Sequence, residues 1–256
     1  MNADIHGSEI SEPDPQPRRV LVTGGSAGIG AAICAAFLAE GCEVVVLDRQ
    51  PPVVSDIRLH HHQVDLTDRD AVTALAAEIA AEAPLTTIVH NAGVIREKPL
   101  EEVTAEDVEA LTALHVTAAI LLVQAFLPTM KAAGFGRIVL VGSRAALGLQ
   151  KRTAYAATKS GMIGLMRTWA LELGPFGITA NLVAPGPIRD TEMFHAVIPR
   201  DDPRLEQIAG GVPVRRLGRP ADVARAVAFL AAPDSGFITG QNFFVCGGTS
   251  VGSITY

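Results

Sequence analysis

Short continuous runs of valine, isoleucine and leucine alternate along this chain with longer stretches of helical spacing. Val20-Leu21-Val22 predicts a buried strand, and the apolar residues of Ile29 to Glu40 repeat with a helical period. Gly41 stops that helix, and Val44-Val45-Val46-Leu47 makes a second strand. The rhythm recurs in strand His62-Gln63-Val64, helix Asp68 to Glu82 and strand Thr87-Ile88-Val89-His90. One long helix is predicted over Ala105 to Lys131, then a strand from Arg137 to Val141 and a helix around Tyr155 to Leu173. Strand Ile178 to Val183 and a less regular stretch, Arg189 to Gly218, precede a helix from Pro220 and a last strand, Asn242 to Val245.

Strands that are apolar throughout and alternate with helices predict an α/β fold, a parallel sheet of about seven strands covered on both faces. Crossovers of this kind are right-handed, and ligands gather at the carboxyl ends of the strands. No shift of composition marks a second domain and no internal repeat is present, so residues 18–256 read as one doubly wound domain. Residues 1–17 carry Glu9, Glu12, Pro13, Asp14, Pro15 and Pro17 where a signal peptide would be apolar. They read as a mobile N-terminal arm.

Composition narrows the function classes. A net charge of −6 leaves no basic surplus to neutralise phosphates, which argues against a nucleic-acid partner. Cys34, Cys42 and Cys246 are an odd number without framework spacing and predict a reducing, cytoplasmic setting. The longest apolar run, around Ala118 to Leu122, is interrupted by Gln124 and Pro128. It falls short of the ~20 residues a bilayer requires, so no membrane partner is expected.

Candidate chemistry begins where the first strand ends. Thr23-Gly24-Gly25-Ser26-Ala27-Gly28-Ile29-Gly30 joins strand to helix, which turns backbone N–H groups towards any bound pyrophosphate. Its glycines fall at 24, 28 and 30, off the common G-x-G-x-x-G fingerprint, and such a turn also serves simple helix–strand packing. Asp48 adds specificity. It ends the second strand eighteen residues after Gly30, near the offset at which a carboxylate meets the adenosine ribose hydroxyls. Asp48 would repel a 2′-phosphate, and Ser26-Ala27 brings no basic side chain into the turn; Arg49 is the one nearby cation. NAD is therefore favoured over NADP.

Tyr155 and Lys159 stand i, i+4, so a phenol and an ammonium share one helix face. A nearby cation favours phenolate, which lets the tyrosine exchange a proton with an oxygen whose carbon gains or loses hydride. Tyr-x-x-x-Lys alone is a weak pattern. Ser143, shortly before it, and the glycine turn far upstream make it informative.

With these residues assembled, the chain resembles the short-chain dehydrogenase/reductase family over roughly residues 19–250. The matching motifs run in order: the Thr23–Gly30 turn, Asp65-Leu66, Asn91-Ala92-Gly93, Ser143, Tyr155/Lys159 and Pro185-Gly186. Val212 to Asp222 and Cys246-Gly247-Gly248 complete the series. The resemblance implies a Rossmann-like domain whose turn holds the cofactor through Gly24, Ser26, Gly28, Ile29 and Gly30. It implies that Asp65 and Leu66 bound the adenine and that Asn91, Ala92 and Gly93 run beside the cofactor's ribose. Tyr155 would be the general acid/base, and Lys159 would hold the nicotinamide ribose and lower the tyrosine's pKa. Ser143 would hydrogen-bond the substrate oxygen. Pro185, Gly186 and Ile188 would line the nicotinamide, and Thr191 would hold its carboxamide. The family also implies a homotetramer built on the helices near Ala105–Lys131 and Tyr155–Leu173.

Three departures stand out. His115 occupies the place where the family usually carries an asparagine that bends its helix and holds a water in a proton relay. A histidine there could accept the same water or simply pack within the helix. Ser143 precedes Tyr155 by twelve positions where thirteen are expected, which a shorter loop at Leu147 to Arg152 would absorb. Asp190 is an extra residue before Thr191.

Other features are discounted. His60-His61-His62 alternates faces on a strand and lacks carboxylate or cysteine partners at ligand spacing, so no metal site is expected. Arg200, Arg204, Arg215, Arg216 and Arg219 read mostly as a solvated face. Substrate contacts are expected from Val94 to Lys98, from Leu147 to Arg152 and from a lid at about 190–218. Arg96, Arg144, Gln150 and Arg152 hint at a polar or anionic substrate. The reading is an NAD-dependent oxidoreductase of a small secondary alcohol or ketone: a sugar, polyol, cyclic diol or hydroxy acid. The alternatives are an NADPH-dependent 3-oxoacyl reductase and, from another class, a cofactor-binding regulatory protein without turnover.

Overall fold

A computed structural model of the protein describes residues 17–252, so all of the expected N-terminal arm but Pro17 lies outside the described residues. The chain opens with β1 (Arg19–Thr23), α1 (Gly28–Ala39), β2 (Glu43–Asp48), β3 (Leu59–Gln63), α2 (Arg69–Glu82) and β4 (Thr87–His90). It continues with α3 (Ala105–Thr112), α4 (Ala118–Ala133), β5 (Gly136–Val141), α5 (Thr153–Leu173) and β6 (Ile178–Pro185). Then follow α6 (Glu192–His195), α7 (Arg204–Gly211), α8 (Pro220–Ala231) and β7 (Asn242–Val245). The strands form one sheet in the order β3-β2-β1-β4-β5-β6-β7, every neighbouring pair parallel.

Strand side chains alternate faces, and both faces are dry. Val20, Val22, Val44 and Val46 pack against Ile33 and Phe37 of α1 and Val223, Val227 and Leu230 of α8. Leu21, Val45 and Leu47 pack the other way, against Val72 and Ile79 of α2, Leu122 and Phe126 of α4, and Met162 and Met166 of α5. The chain runs outward from β1 to β3, then returns to β4 on the other side of β1. That reversal opens a crevice beyond the carboxyl ends of β1 and β4, and it positions the site.

Three local features differ from the sequence pattern. β2 passes to β3 with no helix between them, and the connection contains Pro51 and Pro52, which fix φ and lack donors. The third strand covers Leu59–Gln63 instead of residues 62–64, because its pairing with β2 ends at Asp48↔Gln63. The long helix is divided by a π-turn at Ala113–Thr117, where the Ala118 N–H reaches back to the Ala113 carbonyl.

Gln124 and Pro128 lie inside α4 and do not interrupt it. The helix from Ala105 to Ala133 therefore has an 18-residue window of mean hydropathy 2.0, long and apolar enough by composition alone to cross a membrane. The apolar stretch is thus longer than the sequence expectation had it, and 39% of that window is buried inside the protein. Its inward side carries the buried Ala118, Leu122, Phe126 and Met130, which build the core beneath the sheet, while Leu111 packs with Ala145, Ala154 and Tyr155 in a smaller cluster.

Phe126 is fully buried between α4 and the sheet. Phe126→Ala is expected to remove about 3–5 kcal/mol of stability in urea unfolding. A loss below about 1 kcal/mol would place the core elsewhere.

Candidate active site

Gly24 turns the chain away from β1 with φ 63°, and a Cβ there would stand 2.8 Å from the Ala92 Cα. Gly30 has no room for a side chain, because its Cβ would fall on the Gly24 carbonyl. Asn91 Nδ2 donates to that carbonyl at 2.9 Å and to the Thr23 carbonyl at 3.2 Å, tying the end of β4 to the turn. The start of α1 has no capping side chain and no acidic residue in its first turn, so its free N–H groups face outward for an anion. Beside them, Asp48 at the end of β2 accepts from the Ser26 N–H at 3.0 Å and the Gln50 N–H at 3.2 Å. Tight glycines, an open helix N-terminus and a fixed carboxylate fit a bound dinucleotide.

Tyr155 and Lys159 stand on α5, one turn apart and both buried. Lys159 Nζ donates to the Val141 carbonyl at the end of β5, at 2.8 Å. Burial pushes its pKa down from 10.5 to about 7. Burial also raises the pKa of Tyr155, against the Ser143 hydroxyl and the Arg152 charge, which lower it. Nζ lies 5.8 Å from the phenol ring centre. The hydrogen bond of the ammonium goes to the Val141 carbonyl, and burial is the largest influence on the Tyr155 pKa. Ser143 follows β5, and its Oγ accepts from the Ala145 N–H at 3.1 Å, opening a single 3₁₀ turn. The short loop after that turn absorbs the missing residue before Tyr155.

His115 sits in the π-turn, fully buried, with its ring edge-on to Tyr155 at 5.5 Å between centroids. Its Nδ1 lies 2.9 Å from Thr158 Oγ1. Its Nε2 is buried without a partner. Burial and the charge of Lys159 push its pKa down, which keeps the ring neutral. Two residues that sequence reading passed over, Thr158 and His90, complete this group. Both adjoin a motif residue, Lys159 and Asn91, and that adjacency is the only signal they carry in the sequence.

The remaining candidates line the same crevice or brace it. The Asp65 carboxylate accepts from Thr67 N and Oγ1 before α2, while Leu66 and Ala92 enter the core. Arg49 is 68% exposed along its side chain and lies 3.7 Å from Asp65. Gly186, just after Pro185, donates to the Val245 carbonyl at 3.0 Å, and a Cβ there would stand 2.7 Å from the Cys246 Cα. Ile188 bridges to Gly218 and brings together the two ends of the segment between them. Thr191 caps α6, and its methyl overhangs Gly28, 3.3 Å from where a Cβ would be. The extra Asp190 is accommodated in a left-handed conformation, φ 62°, which aspartate tolerates better than most side chains.

Ion pairs account for much of the expected substrate polarity. Arg96 and Lys98 hold the buried Asp107 at 2.8 and 2.6 Å, and Arg152 holds Glu97 at 3.1 Å. Arg96 and Arg152 therefore pin the substrate-side loops instead of waiting for an anion. Arg204 pairs with Asp202 and Arg216 with Asp222. On β3, His60 lies 3.5 Å from Glu43 and His61 3.3 Å from the Asp48 carbonyl.

The family model that matches residues 24–250 is described as Enoyl-(Acyl carrier protein) reductase. The chain is 37% identical over 248 residues to the 3-oxoacyl-[acyl-carrier-protein] reductase MabA of Mycobacterium tuberculosis, covering 96% of this chain and 98% of that one. It is 35% identical over 238 residues to an acetoacetyl-CoA reductase of Rhizobium meliloti, covering 90% and 98%. Among solved structures it resembles one from Beutenbergia cavernae, described as an NAD(P)-dependent gluconate 5-dehydrogenase with bound NADP. That match has a TM-score of 0.84 and 33% identity, and covers 90% of this chain and 96% of that one.

The depressed pKa of Lys159 fixes the sign of a stability test. Between about 7 and 10.5 the unfolded chain holds a proton that the folded chain has released, so stability rises with pH across that window. Below about 7 both states hold it, and the fold carries the full penalty of a buried charge. Lys159→Met should therefore stabilise the protein more at pH 6.5 than at pH 9.5 in paired urea titrations. An equal gain at both values would mean that the amine is solvated.

Proposed function

Since the chain belongs to the short-chain dehydrogenase/reductase family and is an oxidoreductase of CH–OH groups, we propose that it interconverts 3-oxoacyl and 3-hydroxyacyl thioesters with NAD(H). The observation that carries this reading is near end-to-end similarity to two acyl-thioester reductases, joined to a half-buried Ser143 beside the buried Tyr155 and Lys159. The thioester reading, an alternative at the level of sequence, thus displaces the sugar and polyol reading. The latter stays as a second reading because of the likeness to the gluconate 5-dehydrogenase. The intact proton-transfer set argues against a regulatory protein without turnover.

NAD is preferred here over NADP on the chemistry of Asp48. Its carboxylate is fixed by two backbone N–H groups at the end of β2 and would repel a 2′-phosphate at the ribose it faces. Arg49, exposed and drawn towards Asp65, offers a phosphate little in compensation. The NADP in the Beutenbergia structure is the finding that speaks for the other cofactor.

A nicotinamide held at this turn would supply or accept the hydride. Ser143 would donate a hydrogen bond to the substrate oxygen and hold it beside Tyr155. Tyr155, buried beside Ser143, would give a proton to the substrate oxygen in reduction and take it back in oxidation. Lys159, near neutrality in its pKa, can give up and recover a proton at working pH. His115 would accept from that side through its bare Nε2.

The same proposal includes a homotetramer in a reducing, cytoplasmic compartment. Leu171 on α5 is 82% exposed and Phe176 beyond it is 41% exposed, apolar surface suited to a second copy, and the three cysteines are buried and free. Light scattering should return four 26.8 kDa chains per particle; a monomer would reject the assembly.

Two variants test the roles. Tyr155→Phe should keep NADH binding while lowering kcat by about 10²–10⁴-fold, and comparable turnover would mean the acid/base is misassigned. Asp48→Ala should move the ratio of NADPH to NADH affinity towards NADPH in fluorescence titrations. A ratio that does not change would sink the ribose assignment.

A further inference from the structure

The π-turn gives the Ala118 N–H to the Ala113 carbonyl and so releases the Leu114 carbonyl. His90, the fully buried last residue of β4, takes it up: its Nε2 lies 3.0 Å from the Leu114 oxygen. A carbonyl only accepts, so Nε2 carries the proton. His90 Nδ1, 3.1 Å from Thr23 Oγ1, is then a lone pair. That hydroxyl already accepts from the Asn91 and Ala92 N–H groups, both at 3.0 Å, which leaves its own proton for His90. Both ends of the imidazole dictate the same tautomer.

His115 is held in the opposite one. Thr158 Oγ1 gives its proton to the Tyr155 carbonyl at 3.0 Å, so His115 Nδ1–H must donate to Thr158. Its Nε2 is therefore a bare lone pair. The position a Gly93 Cβ would take is 3.1 Å from that nitrogen and 3.5 Å from Lys159 Nζ, so both nitrogens border the same space beside Gly93.

We propose that His90 is a positioning residue: by holding the Leu114 carbonyl it fixes the π-turn and aims the His115 lone pair at Lys159. Two runs of hydrogen bonds, Thr23–His90–Leu114 and His115–Thr158–Tyr155, are then joined by the Leu114–His115 peptide and link the end of β1 to α5. This rests on the proton-transfer roles given to Tyr155 and Lys159 above. Burial and the Lys159 charge keep His90 neutral, with its pKa pushed down to about 3, so the arrangement persists across ordinary pH.

Two-bond ¹H–¹⁵N spectra of the ligand-free protein read imidazole tautomers directly. The expected result is His90 as the Nε2–H form and His115 as the Nδ1–H form. His90→Leu should shift the His115 nitrogens, and His90→Gln, whose amide can still donate to Leu114, should largely preserve them. With acetoacetyl-CoA and NADH, His90→Leu should lower kcat about tenfold with KM little changed, and His90→Gln should recover most of it. Matching tautomers at the two histidines, an unmoved His115 in His90→Leu, or equal losses in both variants would overturn the proposal. The expected tautomers in a protein that turns over no thioester would fault the functional reading alone and leave this one standing.

Discussion

The ammonium of Lys159 lies in the protein interior with one hydrogen bond, to the Val141 carbonyl, where water would offer three. Much around it follows from that burial. The β5 strand must end with its carbonyl aimed at α5, Gly93 must leave space between the amine and His115, and both nearby histidines must be neutral. A buried amine without a carboxylate partner is unstable as a cation, which brings its pKa near 7 and makes it useful for moving protons. The burial that destabilises the charged amine also brings its pKa within reach of neutral pH.

The cofactor side obeys a steric constraint instead. Gly30 lies against the Gly24 carbonyl, and Asn91 ties that carbonyl to the end of β4, so the turn, the first helix and the strand beside it form one rigid unit. Asp48 joins the unit through the Ser26 N–H. Thr23 belongs to both halves, since its hydroxyl meets the Asn91 and Ala92 N–H groups on one side and His90 on the other. Dinucleotide cradle and proton-transfer group are thereby built from the same strand ends.

The sheet was legible from its apolar strands, and the crevice from the glycine turn, because both depend on local sequence. Tyr155 and Lys159 were legible because four residues make one helical turn. The π-turn was not: a single inserted residue barely disturbs an apolar period, and Ala113 to Thr117 reads as ordinary helix. His90 and Thr158 gain their roles only from partners far along the chain, Thr23, Leu114 and His115. Arg96 and Arg152 misled for the same reason, since their partners Asp107 and Glu97 are found by loop geometry, not by spacing. The direction of the Tyr155 pKa was also out of reach, because it depends on how deeply the fold buries the phenol.

Substrate class is the central claim, and it rests on near end-to-end similarity to acyl-thioester reductases. The most direct measurement is a set of initial rates, followed by nicotinamide absorbance, with acetoacetyl-CoA and NADH, acetoacetyl-CoA and NADPH, and gluconate and NAD. Rapid oxidation of NADH by the thioester, well above the other two pairs, is the predicted result. Turnover of gluconate with the thioester inert would contradict the account.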